Sequence, residues 1–197
     1  GCLLTSFRGG QRADFTGAEY GERFGGIVIV DSPVNPPDHP RRGPPPVHGG
    51  KVYPSLEAAL ARFRLAPPQL CENHYALDYI ARWSLHKAPM QDGSGDGWAW
   101  KFDPSIWQRF SVSRPPQELL KETRCRIALF KGDKSIIWDP DVRDYMRGLL
   151  NRQVPFIEIP EARHHVMLDQ PLAFVAALRT LLQEWAYSTS DRVVPTR

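Results

Sequence analysis

The sequence predicts an α/β protein, with parallel strands flanked by helices. Three observations carry this reading. Short apolar runs at Ile27–Val30, Ile127–Phe130 and Val154–Ile159 read as buried strands. Segments at helical spacing follow two of them: Val142, Tyr145, Met146, Leu149 and Leu150 after the second, and Leu172, Val175, Leu178, Leu181, Leu182 and Trp185 after the third. Polar residues of chemical interest, Asp31 and His164, stand just beyond the first and third runs. The carboxyl ends of strands are where α/β sheets build their sites.

Composition narrows the class of function. A length of 197 residues allows one domain with a real core. The formal charge of +3 is mild and the basic residues are scattered, so a nucleic-acid partner is not expected. Cys2, Cys71 and Cys125 are odd in number and far apart, which fits a reducing, cytoplasmic setting without a disulfide framework. No apolar run approaches the length of a membrane span or a signal segment, so no membrane partner is expected either. The first residue is Gly rather than Met, so the chain need not start where its gene does.

Taken in order, residues 1–25 are the least regular. Gly25-Gly-Ile-Val-Ile-Val-Asp-Ser-Pro is a continuous β-branched strand that ends at Asp31. Seven prolines between Pro33 and Pro46 exclude a helix interior or a central strand. That stretch reads as an extended connector; the alternative, a polyproline ligand around Arg41-Arg-Gly-Pro-Pro-Pro, lacks a second proline at the needed spacing. Ser55 can cap a helix with Leu56, Ala59, Leu60 and Phe63 on one face, and Asn73 can cap His74 to Leu85. Residues 89–97 read as a Gly/Asp loop, followed by the aromatic Gly97-Trp-Ala-Trp-Lys-Phe and a turn of helix over 104–110. The strand from Arg126 turns at Gly132, Asp139-Pro140 starts a helix, and Pro171 opens the last one. Gly132-Asp-Lys-Ser is not a phosphate loop, because the glycine spacing is wrong. A loop that follows a strand, as His164-His165 does, lets an imidazole reach a cleft while packed elements hold its backbone, which general-base chemistry requires.

The segment His164-His-Val-Met-Leu-Asp-Gln-Pro-Leu-Ala-Phe resembles the end of the α/β-hydrolase fold. There a catalytic histidine is followed by an apolar stretch, an acidic residue and a proline that opens the last helix. The resemblance assigns His164 as catalytic and His165 as its neighbour; Arg163 stands where the family usually has Gly. Glu22-Arg-Phe-Gly-Gly-Ile-Val-Ile-Val-Asp-Ser resembles the family's sixth strand, and the strand ending at Gly132 its seventh. The turn after that strand often supplies the catalytic acid three residues beyond the glycine, where this chain has Ser135. Some relatives place the acid after the sixth strand, which here is Asp31; Asp133 and Asp139 are the alternatives. The nucleophile implied is Ser6 in Leu4-Thr-Ser-Phe-Arg-Gly-Gly. Leu4 and Arg8 occupy the glycine positions of the usual Gly-x-Ser-x-Gly elbow, and side chains there obstruct the tight turn. The resemblance implies that the excursion after the sixth strand is a helical cap. Trp98, Trp100, Phe102 and Trp107 would bind substrate on its underside, or form its own small core.

The resemblance covers roughly residues 20–186 and lacks the family's first five strands. The expectation is a partial α/β-hydrolase sheet with a helical cap insertion. Residues 1–32 and 111–187 would form the core portion, 33–110 the connector and cap, and 188–197 a tail. Its function would be serine-type hydrolysis of a small apolar ester or related substrate, with no cofactor and no metal. The alternative is a catalytically silent, truncated remnant that acts as a binding module. Asp31 and His164 should meet within hydrogen-bond reach, with His165 pointing elsewhere. A generic aryl ester should be turned over poorly or not at all. With part of the sheet missing, self-association is expected.

Overall fold

The structure, a computed structural model, describes residues 1–6, 16–40, 50–103, 114–150 and 154–190. The chain forms two units, Gly1–His39 with Val112–Arg197, and Pro40–Ser111.

The first unit is built on four parallel strands: β1 (Cys2–Ser6), β2 (Gly26–Val30), β5 (Ile127–Gly132) and β6 (Phe156–Ile159), adjacent in that order. β2 and β5 are buried along their whole lengths, as their unbroken apolar runs require of central parallel strands. Alternation then divides the core. Ile27, Ile29, Ile127 and Leu129 face α3 (Pro116–Glu122) and α4 (Pro140–Leu150), with Leu120, Val142, Met146 and Leu149 opposite them. Val28, Val30, Ala128 and Phe130 face α5 (Val166–Asp169) and α6 (Pro171–Ser190), meeting Val166, Phe174, Leu181 and Trp185. The result is a three-layer sandwich with helices on both faces of the sheet.

Two sequence expectations change here. Along α6 Leu178, Leu181, Leu182 and Trp185 pack into the core as expected, but Leu172 is 84% and Val175 48% exposed and Phe174 takes the buried place in the first turns. Helix α3 was not foreseen; its Pro115-Pro116 start suits the first helical position, where a missing N–H costs nothing.

The second unit contains α1 (Leu56–Leu60) and α2 (His74–Trp83). Both caps are as expected: Ala58 N–H donates to Ser55 Oγ at 3.1 Å and Ala76 N–H to Asn73 Oδ1 at 3.1 Å. α2 stops at Trp83, and Leu85 starts a strand instead of closing the helix. That strand, β3 (Leu85–Pro89), pairs antiparallel with β4 (Asp96–Trp100), so the expected loop is a hairpin whose turn carries Gly93 and Gly95 at φ 76° and 117°.

Candidate active site

β2 delivers Asp31 to the carboxyl end of the sheet. Its backbone N–H donates to Phe130 O at 2.8 Å, and its φ is +46°. A non-glycine residue in the left-handed region is strained by about 1–3 kcal/mol and persists only where its surroundings over-determine it. They do so here. Asp31 is 1% exposed, and its carboxylate accepts from the Gly132 N–H at 3.0 Å on Oδ1 and from the Ser135 Oγ–H at 2.6 Å on Oδ2. The His164 Nδ1 lies 2.7 Å from the same Oδ2. These three donors offset the burial of a charge that would otherwise be costly. Because a carboxylate only accepts, the ring meets it as Nδ1–H, which puts the basic lone pair on Nε2.

His164 comes from the loop after β6, two strands away from β2. The loop must cross the end of β5 to bring the ring to Asp31, and Gly132 makes the crossing possible. A Cβ at Gly132 would fall on the carbonyl oxygens of Ala162 and Arg163. Further contacts pin the crossing loop. Lys134 N–H donates to Ala162 O at 2.9 Å, Arg163 N–H donates to Asp169 Oδ2 at 2.7 Å, and Lys134 pairs with Glu161, itself at φ 59°. The acidic residue of the His164–Phe174 segment thus ties down the backbone immediately before the histidine.

The two alternative acids are placed elsewhere. Asp139 is exposed, accepts the Val142 N–H at 2.9 Å as the cap of α4, and meets His39 Nε2 at 2.6 Å. The Val142 amide, and after it His39, hold its carboxyl below the usual carboxylate range. Asp133 is exposed on the β5 turn. His165 is buried, its ring edge-on to that of His164 with centroids 4.9 Å apart.

Ser6 is the last residue of β1 and is in register with Val30, the residue before Asp31. It therefore ends its strand at the same edge of the sheet as Asp31. The rest of the elbow, including Arg8, lies outside the described residues, as do Trp107 and the expected helical turn over 104–110. Trp98 and Trp100 belong to β4: Lys87 Nζ lies 4.5 Å from the Trp98 ring centroid, and Trp100 packs on Phe63 at 5.7 Å. Phe102 is 52% exposed. Among the described residues no cluster of His, Cys, Asp or Glu could hold a metal, and no helix is long and apolar enough to cross a membrane.

Sequence reasoning weighed Ser135 only as a missing acid and overlooked it as a donor to the acid. Its signal was present: the turn that normally carries the acid must lie close to an acid arriving from the neighbouring strand.

Residues 3–178 match the model of the alpha/beta hydrolase family. The chain belongs to that family. Solved structures of the same fold include a thioesterase domain from the curacin biosynthetic pathway (18% identity, 91% of this chain and 66% of that one, TM-score 0.66). They also include an M. tuberculosis esterase (17%, 92% and 62%, TM-score 0.67) and a peroxisomal alpha-beta-hydrolase from Saccharomyces cerevisiae (13%, 100% and 54%, TM-score 0.70). This alpha/beta hydrolase chain thus spans less than two thirds of the length of these structures. No curated protein matches it in sequence.

Proposed function

We propose that this chain is a serine-type hydrolase acting on a small apolar ester or a related substrate. The observation that carries the reading is the buried contact of His164 Nδ1 with Asp31 Oδ2 at 2.7 Å, at the carboxyl end of a parallel sheet. In this reading Ser6 is the nucleophile. As its Oγ bonds to the ester carbonyl carbon, its proton passes to His164 Nε2 and Asp31 balances the imidazolium. His164 then gives the proton to the departing alcohol, and water repeats the sequence on the acyl-enzyme to release the acid. An apolar substrate is proposed from the aromatic content of the segment Trp98 to Phe102 alone. Leu4 and Arg8 at the glycine positions of the elbow make turnover slow.

Hydrolysis of a short-chain p-nitrophenyl ester by the purified chain tests this. The expected result is slow turnover without a burst, lost in Ser6→Ala and lowered about 100-fold or more in His164→Ala. Turnover that ignores both substitutions removes these residues from the mechanism. No turnover at all leaves a binding module as the better reading.

A further inference from the structure

We infer that Ser135 is a positioning residue: its hydroxyl fixes which oxygen of Asp31 faces His164, and at what angle. The inference rests on the hydrolase reading for its purpose, but its geometry stands alone. Asp31 is a single left-handed residue at a strand end, so strand regularity does not orient its side chain. Two donors from one turn do so instead. The Gly132 N–H takes Oδ1 at 3.0 Å, and the Ser135 Oγ–H takes Oδ2 at 2.6 Å. The turn is closed on itself by the Ser135 N–H to Gly132 O contact at 3.1 Å, so the two donors form one rigid fork. Oδ2 also meets the His164 ring at 2.7 Å. Without the hydroxyl, the carboxylate keeps one tether and can pivot about it, and the imidazole that leans on Oδ2 turns with it. Ser135 is 7% exposed, so water does not readily replace its hydroxyl.

The other titratable groups of this corner are committed elsewhere or stand apart. Lys131 of β5 pairs with Glu158 of β6 at 2.6 Å, Lys134 pairs with Glu161, Asp169 of α5 accepts from the Arg163 backbone, and Asp133 is exposed. His165 presents its ring edge-on to His164. Among the described residues, Asp31 therefore has Ser135 as the one side-chain donor besides the histidine it orients.

The test reads the His164 Nδ1 proton by NMR, with the resonance assigned by its loss in His164→Ala. In the wild-type chain the burial of His164 and its 2.7 Å contact with Asp31 are expected to give a sharp low-field line. Ser135→Ala is expected to shift and broaden that line, Ser135→Thr to restore it, and Ser135→Cys, a weaker donor of similar shape, to fall between. Should Ser135→Ala fail to fold, the Cys and Thr pair decides. A line unchanged in Ser135→Ala and Ser135→Cys overturns the inference, as does a Thr variant that behaves like Ala. Failure of the hydrolase reading is visible separately, because a chain that turns over no ester can still show a line that follows residue 135.

Discussion

Asp31 concentrates three features that each oppose folding: a buried charge, a left-handed backbone and a position beyond the regular strand. Its three donors hold it there. Asp31→Ala leaves those donors without their acceptor and keeps the backbone strain, so it should lower stability by about 3 kcal/mol in urea unfolding. Asp31→Asn should cost less, because Asn tolerates the left-handed region and retains one acceptor oxygen. Equal losses in the two variants would deny the carboxylate network its role. Gly132 makes a second prediction. Any side chain there meets backbone carbonyls of the histidine loop rather than a flexible side chain that could move away. Gly132→Ala should therefore push the loop off β5 and abolish the low-field Nδ1 proton of His164, even if the fold survives. Asp31 and His164 could be singled out in the sequence because each follows an apolar run. The fork from Gly132 and Ser135 is legible only once the two strands are taken as neighbours, which no local pattern in either strand states.

The elements show the same division between local and distant causes. Helix caps were legible, because Ser55 and Asn73 act on amides three residues ahead. The hairpin was not. Leu85 to Pro89 alternates poorly between buried and exposed, and its pairing with β4 is visible only across the turn. The face of α6 depends on the sheet it meets. Trp185 packs over Gly26, where a Cβ would collide with the indole, and Phe174 meets Phe130 edge-on at 5.5 Å. Gly26→Ala should thus destabilise the chain by about 1–3 kcal/mol through overpacking, measured by thermal or urea melts. A neutral result would mean that α6 lies further from β2. The cap of α4 carries a pH prediction. The folded Asp139 carboxyl lies below its usual range, first through the Val142 amide and then through His39. A lowered folded value means stability that is present above the ordinary carboxylate range and lost as pH falls through the lowered value. The melting-temperature advantage of wild type over Asp139→Ala should therefore be constant near neutral pH and shrink on acidification. An advantage that grows in acid would contradict the cap.

At the scale of the molecule, β1 is an edge strand with Leu4 49% exposed, and among the described residues nothing pairs with its outer side. An unpaired edge beside apolar surface favours association. Light scattering behind size-exclusion chromatography should show a mass that rises with concentration; a constant monomer would show that the edge is protected. The fold class was legible because parallel buried strands leave unbroken apolar runs. Whether the sheet end acts as an active site is a matter of chemistry. The most direct measurement is reaction of the purified chain with a fluorophosphonate, which labels an activated serine, followed by mapping of the adduct by mass spectrometry. The account predicts one adduct on Ser6 that disappears in His164→Ala, whereas no adduct, or one that forms equally well without the histidine, would contradict it.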